Sequence, residues 1–207
     1  MLVSVMSRDR LVIFAYRSVV CSWRQASSFM DDKLYFYSKS RDVYPGKGTN
    51  EVVAQPNDYL MLSQIPNWRR ILSNFSDDCI IKHDGSTYRT IEHAFQSEKI
   101  RLVDRLAAHQ FALESESVLS RGTRADAQKQ RKLRFLTEAQ LRIWERDQTP
   151  LLIELWLCKV SNSPLFRGVL VATNNAELWH VQYRKPAVRW KDLEAVRSEL
   201  QRLRDEA

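Results

Sequence analysis

The sequence predicts an α+β fold, predominantly helical, with a small β-sheet in a single domain. Three observations predict it. A chain of 207 residues is long enough for one well-buried core and short for two. Apolar residues recur at three-to-four spacing through most of the second half, the period of core-facing helices. Strand-like alternation is confined to short stretches bounded by turn residues. The composition, 44% hydrophobic and 28% charged, is that of a globular chain. Its apolar runs fall far short of the roughly 20 residues a membrane span needs.

Residues 1–29 set Arg8, Arg10, Arg17 and Arg24 against one acid, Asp9. A basic, acid-poor start reads either as a mitochondrial transit peptide or as an extension upstream of Met30. Residues 1–29 are therefore expected to be a dispensable or targeting extension, and residues 30–207 the domain. The expected location is cytoplasmic, or mitochondrial if the extension targets. "KLYFYS" (33–38) alternates as a strand, and "RDVYPGKGTNE" (41–51) is a turn-rich loop. "DCIIKHDGSTY" (78–88) reads as a strand, an Asp84-Gly85 turn and a returning strand.

A helix follows across 88–108, with Thr90 as N-cap and an apolar stripe of Ile91, Phe95, Leu102 and Leu106. Further helices are expected around 105–119, 124–147, 150–160 and 164–171. Ser163-Pro164 and Thr149-Pro150 both read as an N-cap followed by proline at the first helical position. "ELWHVQYR" (177–184) reads as a strand, and "WKDLEAVRSELQRLRDE" (190–206) as a charged closing helix.

The net charge of +7 and a pI near 9.4 suit an anionic partner: a phosphorylated metabolite, a nucleotide or a nucleic acid. A solvated basic surface gives the same number. Cys21, Cys79 and Cys158 are an odd, widely spaced set, expected as free thiols in a reducing compartment. His83, His93, His109 and His180 show no paired spacing and no HExxH, so no metal site is predicted. "PGKGTNE" (45–51) lacks the GxxxxGK[ST] spacing of a phosphate loop and reads as a plain loop. No GxSxG elbow supports a serine hydrolase.

Within the helix, Glu92, Gln96 and Lys99 fall within roughly 60° of one another at about 100° per residue. Each has an ordinary explanation. Glu92 suits the helix dipole, Lys99 can lay its stem on apolar surface, and Gln96 can face solvent. An acid, an amide and an amine together at the edge of an apolar stripe are less ordinary, because buried charge is costly unless paired or used.

"LSNF" (72–75) followed by "TIEHAFQSEK" (90–99) resembles the YbiA-like, or NADAR, family. That family's signature is an LSNF-type segment, a short β excursion and EHxFQxxK on a helix. Weaker agreement continues through Trp144 and "LWLCKVSNSPLFRGVLVAT" (155–173), so the resemblance covers most of residues 33–180. It implies a YbiA-like domain and an N-glycosidase that breaks a C1′–N bond beside a phosphorylated ribose. The substrate would be a riboflavin-pathway intermediate or an ADP-ribosylated guanine, with no metal or other cofactor. Glu92 would handle protons or stabilise charge at C1′, and Lys99 would trap the opened sugar as an imine. Ser73 and Asn74 would orient ribose or base, and Gln96 would support the helix face and the bound substrate.

One departure stands out. Many members carry an acid and then a Trp-Gly pair downstream. Here His180 stands near the usual acid, and Trp190 is followed by Lys191. His180 is therefore a candidate substrate contact, and a non-catalytic ADP-ribose or nucleotide-binding module is the alternative to an enzyme.

Overall fold

The computed structural model describes residues 31–122, Asp126 and residues 135–206. The expectations placed on residues 1–29 and on a helix over 124–134 lie outside the described residues, apart from Asp126. Strand β1 (Lys33–Phe36) alternates half-buried and buried positions, so Leu34 and Phe36 point into the core. It pairs in parallel with β4 (Glu177–His180), which pairs antiparallel with β5 (Val188–Arg189). A sheet ordered β1-β4-β5 results. The strand expected over 177–184 ends at His180, and Arg184 already has a left-handed φ of 54°.

The loop before the first helices is organised by one carboxylate. Glu51 accepts hydrogen bonds from the backbone N–H groups of Tyr35 (3.1 Å), Gly46 (2.9 Å) and Gly48 (3.0 Å). The guanidinium of Arg69 completes the cluster at 2.9 and 2.7 Å. The glycine-rich stretch that resembles a phosphate loop thus wraps an anion of its own chain. Arg69 belongs to α2 (Trp68–Ile71), which follows α1 (Leu60–Ser63).

The hairpin of β2 (Ile81–His83) and β3 (Ser86–Tyr88) turns at Asp84 and Gly85, with φ of 45° and 73°. Positive φ at both central residues is the tight hairpin turn that Asp-Gly favours. Helix α3 (Ile91–Arg101) begins at Thr90, whose hydroxyl accepts from the His93 N–H at 3.3 Å. It ends earlier than periodicity predicts. Asp104 caps a separate helix, α4 (Arg105–His109), through Ala107 N–H, and Leu106 is 83% exposed instead of in the core. The expected helix over 105–119 is likewise broken. Hydroxyls of Ser115 and Ser117 take the carbonyls of Ala112 and Gln110, and Ser117 caps α5 (Val118–Arg121). Such side-chain bonds compete with the helical ladder.

Helix α6 (Glu138–Asn162) carries a full capping box at Thr137 and Gln140. It runs straight through Pro150, so the helix start expected at Thr149-Pro150 is wrong. Proline removes the bond to the carbonyl of Arg146, but both residues are exposed, and water can take that carbonyl. The parallel expectation at Ser163-Pro164 holds. Ser163 caps α7 (Pro164–Ala172) by accepting from Phe166 N–H at 2.9 Å. Helix α8 (Lys191–Asp205) buries Leu193 and Val196 against the sheet and α6. Among the described residues, no helix is long and apolar enough to cross a membrane.

A second buried ion pair fixes the loop after LSNF. Lys159 of α6, fully buried, meets Asp78 at 2.7 Å and approaches the carbonyls of Ile71 and Ser76 at 3.4 Å. Burial pushes the Lys159 ammonium below its ordinary pKa, while Asp78 opposes that shift. Burial alone would raise Asp78. The Lys159 charge and hydrogen bonds from Lys159, Ser163 and Ser76 override it and hold the carboxyl below its usual range.

Candidate functional site

The site is built where the LSNF loop meets the first turn of α3. A helix leaves its first N–H groups without internal partners. Thr90 satisfies one. The N–H of Glu92 is satisfied from outside the helix by the backbone carbonyl of Asn74, at 3.0 Å. The LSNF and helix motifs, separate in sequence, are thereby joined directly.

Asn74, 8% exposed, is held from its other side. Its Oδ1 accepts from the indole N–H of Trp156 on α6 at 3.0 Å. Ser73 is buried beside it, and its hydroxyl accepts from Phe75 N–H at 3.3 Å, shaping the turn of its own loop. Glu92 is 8% exposed and accepts from Gln96 Nε2 at 2.9 Å through Oε1. Lys99 lies further along the same face, half-buried, with its amine 5.4 Å from the centre of the Trp144 ring. Phe95 packs edge-on against that ring at 4.7 Å.

His180 enters through aromatic contacts. It stacks on Trp190 with centroids 4.3 Å apart, and Trp190 lies 5.1 Å from Trp156. A continuous path therefore runs from His180 through Trp190, Trp156 and Asn74 to Glu92 and Gln96. Asn74, Glu92 and Gln96 are brought together by hydrogen bonds, while His180 joins through rings. Lys99 shares the helix face and touches Trp144.

Trp156 and Trp190 are the residues that sequence reasoning missed. Trp156 falls within an expected helix, and Trp190 opens the expected closing helix. The available signal was chemical: a buried indole N–H needs an acceptor, and Asn74 in the LSNF motif is a side chain that can provide one.

His93, next to Glu92 but turned away, is 1% exposed, with Nδ1 2.9 Å from Thr90 Oγ1. Burial and the nearby Arg89 charge lower its pKa below the ordinary histidine value. Beside Trp144, a cavity of about 580 Å³ opens between α3, β2 and α6, lined by His83, Glu98, Leu102, Pro150 and Glu154 among others. His83 bridges its walls, 2.9 Å from Glu154 and 3.7 Å from Glu98. Among the described residues, no group of three or more His, Cys, Asp or Glu is placed to hold a metal ion. Cys79 and Cys158 are free thiols, and burial pushes Cys79 up to about 11.

No family model matches the chain, and no curated protein sequence matches it. Among solved structures, the NMR structure of the E. coli protein YbiA is similar over 88% of this chain and 91% of that one. The TM-score is 0.48 and the identity 20%, and at this level nothing about activity transfers from that protein.

Proposed function

We propose that this protein is an N-glycosidase acting on a ribose-phosphate or ADP-ribose N-glycoside, in which the sugar is linked to an amino nitrogen. A riboflavin-pathway intermediate and an ADP-ribosylated guanine are the two substrate types that the motif resemblance implies. The observation that carries the reading is the junction of the two motifs. A nearly buried carboxylate, Glu92, has its backbone anchored on Asn74 at 3.0 Å and its side chain on Gln96 at 2.9 Å. A preorganised carboxylate suits a centre where positive charge develops at C1′.

The proposed steps balance without a metal. The ribosylamine opens to a C1′ iminium, and the neutral amine of Lys99 adds to C1′. The base nitrogen takes a proton and leaves as a free amine, which places the sugar on Lys99 as an imine. Water adds, and the sugar leaves as its aldehyde. Glu92 carries protons in both halves. Asn74, fixed by Trp156, would orient the ribose or base, with Ser73 shaping the loop that presents it.

Borohydride added during turnover of a ribosylamine phosphate, followed by peptide mass spectrometry, tests this reading. A reduced sugar adduct on Lys99, absent in Lys99→Ala and diminished in Glu92→Gln, is expected. Near-normal turnover by Lys99→Ala would remove the imine route. A second reading, a non-catalytic ADP-ribose or nucleotide-binding module, is favoured by one observation. The His180 ring, near the position where the family carries an acid, is stacked on Trp190. Binding of ADP-ribose with no turnover of either substrate type would select it.

A further inference from the structure

Helix α3 bounds a second concave feature besides the face that carries Glu92 and Gln96. The cavity of about 580 Å³ between α3, β2 and α6 has the size of a small-molecule pocket. It opens on another side of the helix. At about 100° per residue, Glu98 lies roughly 120° from Glu92 and roughly 160° from Gln96. A ligand can reach it from solvent, because the side chains of Asp147 and Glu154 on its wall are 50% and 54% exposed.

The lining combines two kinds of group. Leu102 of α3 and Trp144, Leu151 and Leu157 of α6 form apolar walls. Glu98, Asp147 and Glu154 supply carboxylates, His83 is the remaining titratable group, and among the described residues no lysine or arginine lines the cavity. That sign is opposite to the +7 of the whole chain. Cations do approach from beside it. Arg101 meets Glu98 at 2.9 Å, Arg146 meets Asp147 at 2.6 Å, and the Lys99 amine lies 5.4 Å from the centre of the Trp144 ring. Among the described residues, Glu154 is answered by His83 alone, at 2.9 Å. Their hydrogen bond raises the His83 pKa and holds Glu154 below its ordinary range. Titratable groups shifted together in a cleft are a mark of functional sites.

We infer that this cavity binds a small organic amine, protonated at neutral pH and carried on an apolar body. The walls take the body out of water. The carboxylates accept charge-assisted hydrogen bonds from the ammonium, Glu154 first, since its charge is the least answered. Phosphorylated ribose compounds are disfavoured here by like charge. The cavity is therefore a site apart from the proposed glycosidase chemistry and does not rest on it.

Three indole probes of nearly equal size test this: tryptamine, a cation, tryptophol, neutral, and indole-3-acetate, an anion. Calorimetric titration of the full chain near neutral pH should show tryptamine binding about tenfold tighter or more than tryptophol, the size of one charge-assisted hydrogen bond. Indole-3-acetate should bind weakest. Attraction to the net charge alone would give the reverse order, with the anion tightest. Tryptamine should move the NMR amide signals of His83 and Glu98 and the indole N–H signal of Trp144. In the double variant Glu154→Gln with Asp147→Asn, tryptamine should come to within about threefold of tryptophol, with tryptophol itself unchanged. If that variant does not fold, Glu154→Gln alone, which keeps an oxygen for His83, should shrink the preference by about threefold or more. No saturable binding of tryptamine, indole-3-acetate binding as tightly as tryptamine, shifts confined to other parts of the chain, or a cation preference that survives these variants overturns the inference.

Discussion

The Glu51–Arg69 cluster permits a stability prediction with a worked size. The Glu51 side chain is 0% exposed and that of Arg69 is 3% exposed, at 2.7 Å. Glu51→Gln removes the charge and turns one of two acceptor oxygens into a donor. Oε1 faces Tyr35 N–H and Arg69 Nε, while Oε2 faces Gly46 N–H, Gly48 N–H and Arg69 Nη2. Whichever way the new amide turns, at least two donors meet a donor. Arg69 also keeps a buried charge with no carboxylate beside it, left to the carbonyls of Val43 and Tyr44, the Trp68 ring at 4.0 Å and at most one amide oxygen. Breaking one side of a buried pair costs about 3–5 kcal/mol. For a domain of this size that lowers Tm by roughly 6–20 °C. Circular dichroism melts and urea midpoints measure it. The double variant Glu51→Leu with Arg69→Met should cost less than the sum of the two singles by on order of 1–3 kcal/mol, because it strands no charge. A Glu51→Gln chain that melts within about 2 °C of the parent would refute the reasoning.

Stability should also respond to pH through two histidines with opposite signs. The Glu154 hydrogen bond raises His83 above its ordinary 6.5, so its contribution is complete below pH 6.5 and is lost as pH rises through the raised value. Burial lowers His93, so its contribution is complete above pH 6.5 and is lost as pH falls through the lowered value. Melting curves against pH should flatten on the alkaline side in His83→Gln and on the acid side in His93→Gln. An unchanged profile in either variant counts against that assignment. Pro150→Ala restores a helical N–H within α6 and should raise Tm, whereas a neutral result would mean that a new helix starts there. Trp156→Phe removes the donor to Asn74 Oδ1 and should cost about 1–3 kcal/mol, with a loss of turnover larger than the loss of folded protein. Equal losses would deny Asn74 a role in positioning.

Much of the architecture was legible because local chemistry decided it. The Asp84-Gly85 turn needs two positive φ values, and those residues tolerate them. Thr90 and Ser163-Pro164 are caps that act within three residues of themselves. The failures occurred where competing local signals were of similar size. At Leu102–Asp104 the apolar period continues, but the Asp104 cap wins and Leu106 turns to solvent. At Thr149-Pro150 the cap-and-proline signal is as strong as at Ser163, yet the surrounding helix packs on both sides through Trp144, Ile153 and Trp156. Burial along 25 residues outweighs one missing bond at an exposed position.

The site divides along the same line. Glu92, Gln96 and Lys99 share a face because helical geometry alone puts them there, and the structure keeps them on one helix. What spacing could not reveal is the partner of each group. Asn74 reads as a ligand contact, and its Oδ1 turns out to hold Trp156, 82 residues away. Gln96 reads as a supporting residue. One end of its amide supports Glu92, while the other end is a buried acceptor that nothing described satisfies. The "PGKGTNE" loop teaches the converse. Its glycine N–H groups do converge on an anion as in a phosphate loop, but Glu51 from the same segment fills the place. Pattern locates groups of one charge or polarity, whereas function depends on which of them the fold leaves unmatched.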